Sequence, residues 1–152
     1  MKLNAIGKNL QKADAYQKVT GSAKYVGDMR RPDMLYAKIL RSPHAHANIT
    51  GIDVSGALAL SGVAAALTWE DAPKIPFTSC GHPYPPDTPE DMFILSRRLR
   101  YVGDPVAAVA ASSPEIAERA LELIKVEYEL LPAYLTPEAA LAPGAIELHE
   151  GL

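Results

Sequence analysis

The chain lacks most of the features that would assign it a chemistry outright. It has a single cysteine, Cys80, in 152 residues. No internal disulfide is therefore available, and a reducing cytoplasm is the expected compartment. It has no basic excess: 15 lysines and arginines face 18 acidic residues, for a net charge of −3. With no basic stripe, a nucleic-acid partner is not expected. It has no apolar run approaching the roughly 18 residues that span a bilayer, so no membrane partner is expected. Met1 to Lys8 contain no apolar stretch of the kind that marks a secretory leader. Glycine is sparse where it would matter for nucleotides. Gly103 is the only glycine near the clearest strand–helix junction, whereas a dinucleotide fingerprint needs several.

What is present is ordinary globular material, 48% apolar and 22% charged, long enough for one domain with its own core. The strongest pattern runs from Arg100 to Pro132. Gly103-Asp104 is a turn dipeptide, and Pro105 can open a strand. Val106 to Ala110 is nearly continuous apolar sequence, which suits a strand covered on both faces. Ser113, Pro114 and Glu115 read as an N-cap, a first-turn proline and an acid in the positive first turn. Ile116, Ala117, Ala120, Leu121 and Ile124 then form one apolar stripe. Glu115 and Arg119 stand as an i, i+4 pair. The period next switches to two, with Val126, Tyr128 and Leu130 on one side and Glu127 and Glu129 on the other.

In chain order, residues 1–13 read as a loosely held arm and 14–152 as a single domain. Asp14 is placed to cap a helical turn that ends before Gly21. Strands are expected at Leu35–Arg41, Ala47–Val54 and Val63–Thr68, the last nearly all apolar and so central. Ser55 is placed to cap a short turn between the second and third. Thr68 to Ala72 reads as one capped helical turn, and Met92 to Leu95 as extended chain. Thr136-Pro137-Glu138 repeats the helix-start formula. The fold class is α/β with a mixed sheet.

Residues 73–91 differ in kind, with six prolines counting Pro73. No ladder strand is expected at that density, and so long a loop is usually functional. His44 and His46 stand two apart and, with Cys80, His82 and His149, could be imagined as a zinc set. No fixed-spacing partner supports this, and the preferred reading is histidines satisfied in a turn. Cys80 as a nucleophile has only nearby His82 as a base, which carries little weight. Asp87, Glu90 and Asp91 read as a solvated acidic rim. Trp69 reads as core or loop anchor.

Several blocks together resemble one family. They are Asp14 with Lys18-Val19-Thr20-Gly21-Ser22-Ala23-Lys24-Tyr25; Asp28 and Leu35 through Ala47, including Arg41-Ser42-Pro43-His44-Ala45-His46; Ile52-Asp53, Gly62-Val63, Thr68 and Glu70-Asp71; and Val102-Gly103-Asp104-Pro105-Val106-Ala107 with Val126-Glu127-Tyr128-Glu129-Leu130-Leu131-Pro132. Their order is similar to the start of the molybdenum-binding subunit of the xanthine dehydrogenase/aldehyde oxidase family. The resemblance implies an α/β hammerhead domain with a long Pro-rich loop, a fragment of a larger hydroxylase. The fragment would be inactive alone, with no catalytic, cofactor or metal residue of its own. Molybdopterin would sit in later domains, and Fe–S clusters and FAD on other domains or subunits; all would be partners. An apolar patch left bare here, prone to self-association, follows from that. Phe77, His82 and Tyr84, in the Pro-rich segment, become candidates for shaping a substrate entrance. A stand-alone binding module using that loop is the alternative.

Overall fold

The computed structural model describes residues 6–79 and 89–149. The chain divides into two compact units, Met1–Met34 and Leu35–Leu152. In the first, α1 (Ala15–Val19) is a short helix, followed by a 3-10 turn at Val26–Asp28. Asp14 precedes α1 but makes no side-chain capping bond; its carboxylate reaches Lys18 Nζ at 2.6 Å instead. The helix ends as the sequence predicts. Thr20 Oγ1 donates to the Tyr16 carbonyl at 2.7 Å, and Gly21 takes φ 70°.

The second unit runs β1 (Tyr36–Arg41), β2 (Ala47–Asp53), α2 (Ser55–Leu58), β3 (Val63–Leu67), β4 (Arg98–Leu99), β5 (Pro105–Ala111), α3 (Pro114–Glu122), β6 (Lys125–Leu130) and α4 (Pro137–Ala140). The α/β class holds, but the strands form two small sheets rather than one mixed one. One has the order β1-β5-β3, the other β4-β2-β6, and every pairing between these strands is antiparallel. The reason is the path of α3. A strand–helix–strand unit gives a parallel pair only if both strands join one sheet. Here α3 carries the chain from the first sheet to the second, so β5 and β6 never meet. The assignment of β3 as a central strand is also corrected, because it pairs only with β5 and lies at the edge.

The start of α3 follows its sequence signal. Ser113 is extended (φ −144°), its Oγ accepts from Ile116 N at 3.2 Å, and Pro114 follows it. Ala117 and Ala120 are fully buried against the sheet. Glu118 reaches Lys38 of β1, 3.7 Å away. Ser55 does not cap α2; Val54 takes that position, and the Asp53 carboxylate accepts from Ser55 N at 2.9 Å. Ile49, Leu99, Val106 and Val109 are the largest fully buried side chains, and they join both sheets and α3 in one core.

Register separates the two faces of the first sheet. Lys38 pairs with Val109, so Tyr36, Lys38, Leu40, Ala107, Val109 and Ala111 face α3. The opposite face consists of two rows, Ala37–Ala110–Ala65 and Ile39–Ala108–Leu67. Every residue in these rows is apolar, yet Ile39 is 44% exposed and Leu67 50%. The apolar run of β5 therefore has a tightly buried side and a half-open one, not the cover on both faces that its composition predicts.

Candidate functional site

Three of the sequence blocks singled out above are turns at strand ends, and their polar atoms are consumed by the fold. At Tyr101–Asp104, Gly103 takes φ 96° and donates its N–H to the Ser42 carbonyl at 2.8 Å. Asp104 is buried, and its Oδ2 accepts from Arg100 N at 2.8 Å. Burial pushes the Asp104 carboxyl above its ordinary 3.8, against the pull of that hydrogen bond and of the Arg100 charge. At Thr68–Asp71, the Asp71 carboxylate accepts from Thr68 N (2.8 Å) and Thr68 Oγ1 (3.0 Å), which holds its pKa below the usual value.

The two histidines part company. His44 packs edge-on against Tyr128, with ring centroids 4.8 Å apart. His46 is buried, its Nδ1 2.7 Å from the Pro132 carbonyl, and its Nε2 accepts from Arg98 Nε at 3.3 Å. This pattern fixes the neutral tautomer with the proton on Nδ1 and leaves neither nitrogen for a metal. His149 turns to Asp91, 3.9 Å away. Among the described residues no three His, Cys, Asp or Glu side chains converge as metal ligands would.

Asp104 gives a pH prediction. A carboxyl raised on folding takes up protons as the chain folds, so its ionisation subtracts stability as pH rises from about 3.8 through the folded value. Asp104→Asn removes that loss while keeping an acceptor for Arg100 N. The stability of the variant relative to the native chain is expected to grow from pH 4 to pH 7 in urea titrations. A difference that shrinks with pH would contradict the burial argument.

Of the entrance candidates, Phe77 alone lies within the described residues. It is 40% exposed and bridges Met92 through two backbone hydrogen bonds, Phe77 N to Met92 O (2.9 Å) and Met92 N to Phe77 O (3.1 Å). A ladder contact thus survives in the proline-rich stretch, because neither residue is proline and both amides are free to donate. His82 and Tyr84, with Cys80 and Asp87, lie outside the described residues.

The structure brings forward a cleft that the sequence did not reveal. It has a volume of about 370 Å³, lined by Trp69, Lys74, Phe93, Leu95, Ser96 and Arg97. The Arg97 guanidinium lies 5.6 Å from the indole centroid of Trp69 and Lys74 Nζ lies 6.0 Å from it. Arg97 Nε also donates to the Ile49 carbonyl at 3.0 Å. Next to it, Arg98 Nη2 donates to Glu147 O and Arg100 Nε to Leu148 O, both at 2.7 Å, strapping the last described residues across β4. The density of arginine at 97, 98 and 100 was the available signal, but nothing in it told which would face a cleft and which would hold backbone.

A family model described as the a/b hammerhead domain of aldehyde oxidase and xanthine dehydrogenase matches residues 20–132. The chain is 44% identical over 144 residues to the xanthine dehydrogenase molybdenum-binding subunit of Escherichia coli O157:H7, covering 92% of this chain and 19% of that protein. It is 44% identical over 148 residues to a probable hypoxanthine oxidase of Escherichia coli (strain K12), covering 97% of this chain and 16% of that protein. Among solved structures, quinoline 2-oxidoreductase from Pseudomonas putida 86 superposes with a TM-score of 0.75 at 38% identity, over 92% of this chain and 18% of that one. The chain thus spans less than a fifth of the length of these relatives. The chain belongs to the aldehyde oxidase and xanthine dehydrogenase family, as its a/b hammerhead domain.

Proposed function

We propose that this chain is the non-catalytic N-terminal domain of a molybdenum hydroxylase large subunit, where it packs against later molybdopterin-binding domains and helps to form the substrate entrance. The observation that carries the packing is the face built from Ala37, Ile39, Ala65, Leu67, Ala108 and Ala110. A contiguous apolar face of this kind marks an interface in a soluble protein. Covering the exposed half of Ile39 and of Leu67 would contribute about 0.7–1.5 kcal/mol each. The alanines between them let another backbone come close. Relatives about five times as long supply polypeptide to lie there.

The described residues offer no donor set for a metal. Hydroxylation of a purine, aldehyde or related substrate is assigned to the rest of such a subunit, of which this chain matches 19% in a relative, with iron–sulfur and FAD-bearing partners taking the electrons. Phe77, at the base of the proline-rich segment, and His82 and Tyr84 within it are the residues we assign to the entrance.

The packing is tested by Ile39→Glu with Leu67→Glu in the full-length subunit. Forcing two carboxylates into an apolar contact costs several kcal/mol. Activity is expected to fall by more than about tenfold, while the 152-residue chain keeps its far-UV circular dichroism. Unchanged activity would overturn the docking. For the entrance, Phe77→Ala, His82→Ala and Tyr84→Ala are each expected to move KM or substrate preference with little change in stability. Identical kinetics across the three would remove that assignment.

A further inference from the structure

The cleft at Trp69 differs from the bare sheet face in its charge. Its floor is apolar, formed by Trp69, Phe93 and Leu95, and two cations flank it, Lys74 and Arg97. Among the described residues no carboxylate lines it. Glu90 and Asp91 line an adjoining groove that shares Phe93, Ser96 and Arg97 with the cleft, and Asp91 faces His149 there. Among the described residues Lys74 has no ion pair. Arg97 uses its Nε on the Ile49 carbonyl, which orients the guanidinium over the indole without neutralising it. The Trp69 indole N–H is buried and has no acceptor among the described residues. With two cations and no carboxylate among its described lining residues, the cleft is short of negative charge.

We propose that this cleft seats an acidic side chain, flanked by an apolar one, carried on a polypeptide segment outside residues 1–152. Charge complementarity selects the carboxylate: two cations flank one apolar floor. The open form of the cleft selects a polypeptide, since small-molecule sites enclose most of their ligand. Trp69 and Phe93 supply the aromatic anchors common at the centre of protein contacts. The carboxylate sets the register in which the apolar face beside β3 is covered. This inference rests on the docking proposed above but names a contact that the docking does not require.

A photo-reactive benzoyl-phenylalanine in place of Phe93 in the full-length subunit tests it. The expected result is one cross-linked peptide from beyond residue 152, bearing Asp or Glu next to an apolar residue. Its yield is expected to fall by about tenfold in Lys74→Glu with Arg97→Glu, and to recover when the captured acid is changed to Lys. A yield indifferent to the charge reversal overturns the proposal. So does a cross-link confined to residues 1–152, or one abolished by free benzoate, which would mark a small-molecule site. The same reagent in place of Ile39 reports the docking separately. Capture at Ile39 with none at Phe93 sinks the cleft proposal alone, and capture at neither sinks both.

Discussion

Leu99→Ala is expected to lower the stability of the chain by about 3–4 kcal/mol, within the range for deleting a buried leucine side chain. Leu99 is 0% exposed, on a strand only two residues long. β4 is held to β2 by the register pairs Ala47–Leu99 and Asn48–Arg98. Its side chain packs into the core shared by Ile49, Val106 and Val109. So short a strand cannot relax far enough to refill the space, which keeps the cost away from the low end of the range. For a chain of this size the melting midpoint should fall by about 10 °C. Leu135→Ala is the control. Leu135 is 88% exposed, and its loss should stay within about 0.5 kcal/mol. A Leu99→Ala variant that melts within a degree or two of the Leu135→Ala one would refute the assignment of Leu99 to the core.

Gly62→Val is the second large effect, expected at about 3 kcal/mol from backbone strain and overpacking together. Gly62 takes φ 93°, a region that a β-branched residue scarcely enters. A Cβ at this position would lie 2.8 Å from both Ile116 Cδ1 and Ser112 Oγ. The Ser112 contact is harder to relieve, because Ser112 N already donates to the Gly62 carbonyl at 2.9 Å and holds the two backbones together. The turn before β3 is thereby clamped to the start of α3. Gly103→Val has a comparable φ of 96° with open space around it, in the same unit of the chain, and isolates the strain from the clash. Urea midpoints should separate the two variants clearly; equal shifts would show that packing against α3 contributes nothing.

Much of the fold was legible because it rests on local physics. Ser113-Pro114-Glu115 and Thr136-Pro137-Glu138 start helices where their side chains cap orphan amides. Gly21 and Gly103 take the left-handed conformations that their turns need. Burial in β6 alternates at Val126 and Tyr128, although Leu130 is 64% exposed. The misreadings share another cause. Asp14 and Ser55 are residues that cap well, but whether they do depends on the chain before them, and here Lys18 and Asp53 made better partners. An apolar strand such as Val63–Leu67 reads as central because composition cannot tell a strand flanked on both sides from one at the edge of its sheet.

The candidate site divides in the same way. The histidine pair, the Gly-Asp-Pro turn and the Thr-x-x-Asp turn stood out in the sequence because they are compact local patterns; the structure spends His46, Asp104 and Asp71 on backbone and packs His44 against Tyr128. The cleft joins Trp69 and Lys74 to Phe93 and Arg97, and no spacing rule links positions 19 to 28 apart.

By itself the sequence determined the helix starts, the turns, the α/β class and the family, because these depend on contacts within a few residues or on blocks read in order. Only the tertiary structure decided that α3 bridges two antiparallel sheets, that one face of the first sheet lies bare, and that two cations gather at the single indole. Those outcomes depend on which distant segments pack together, and burial energy records only how much apolar surface each segment offers, not against what it will be placed.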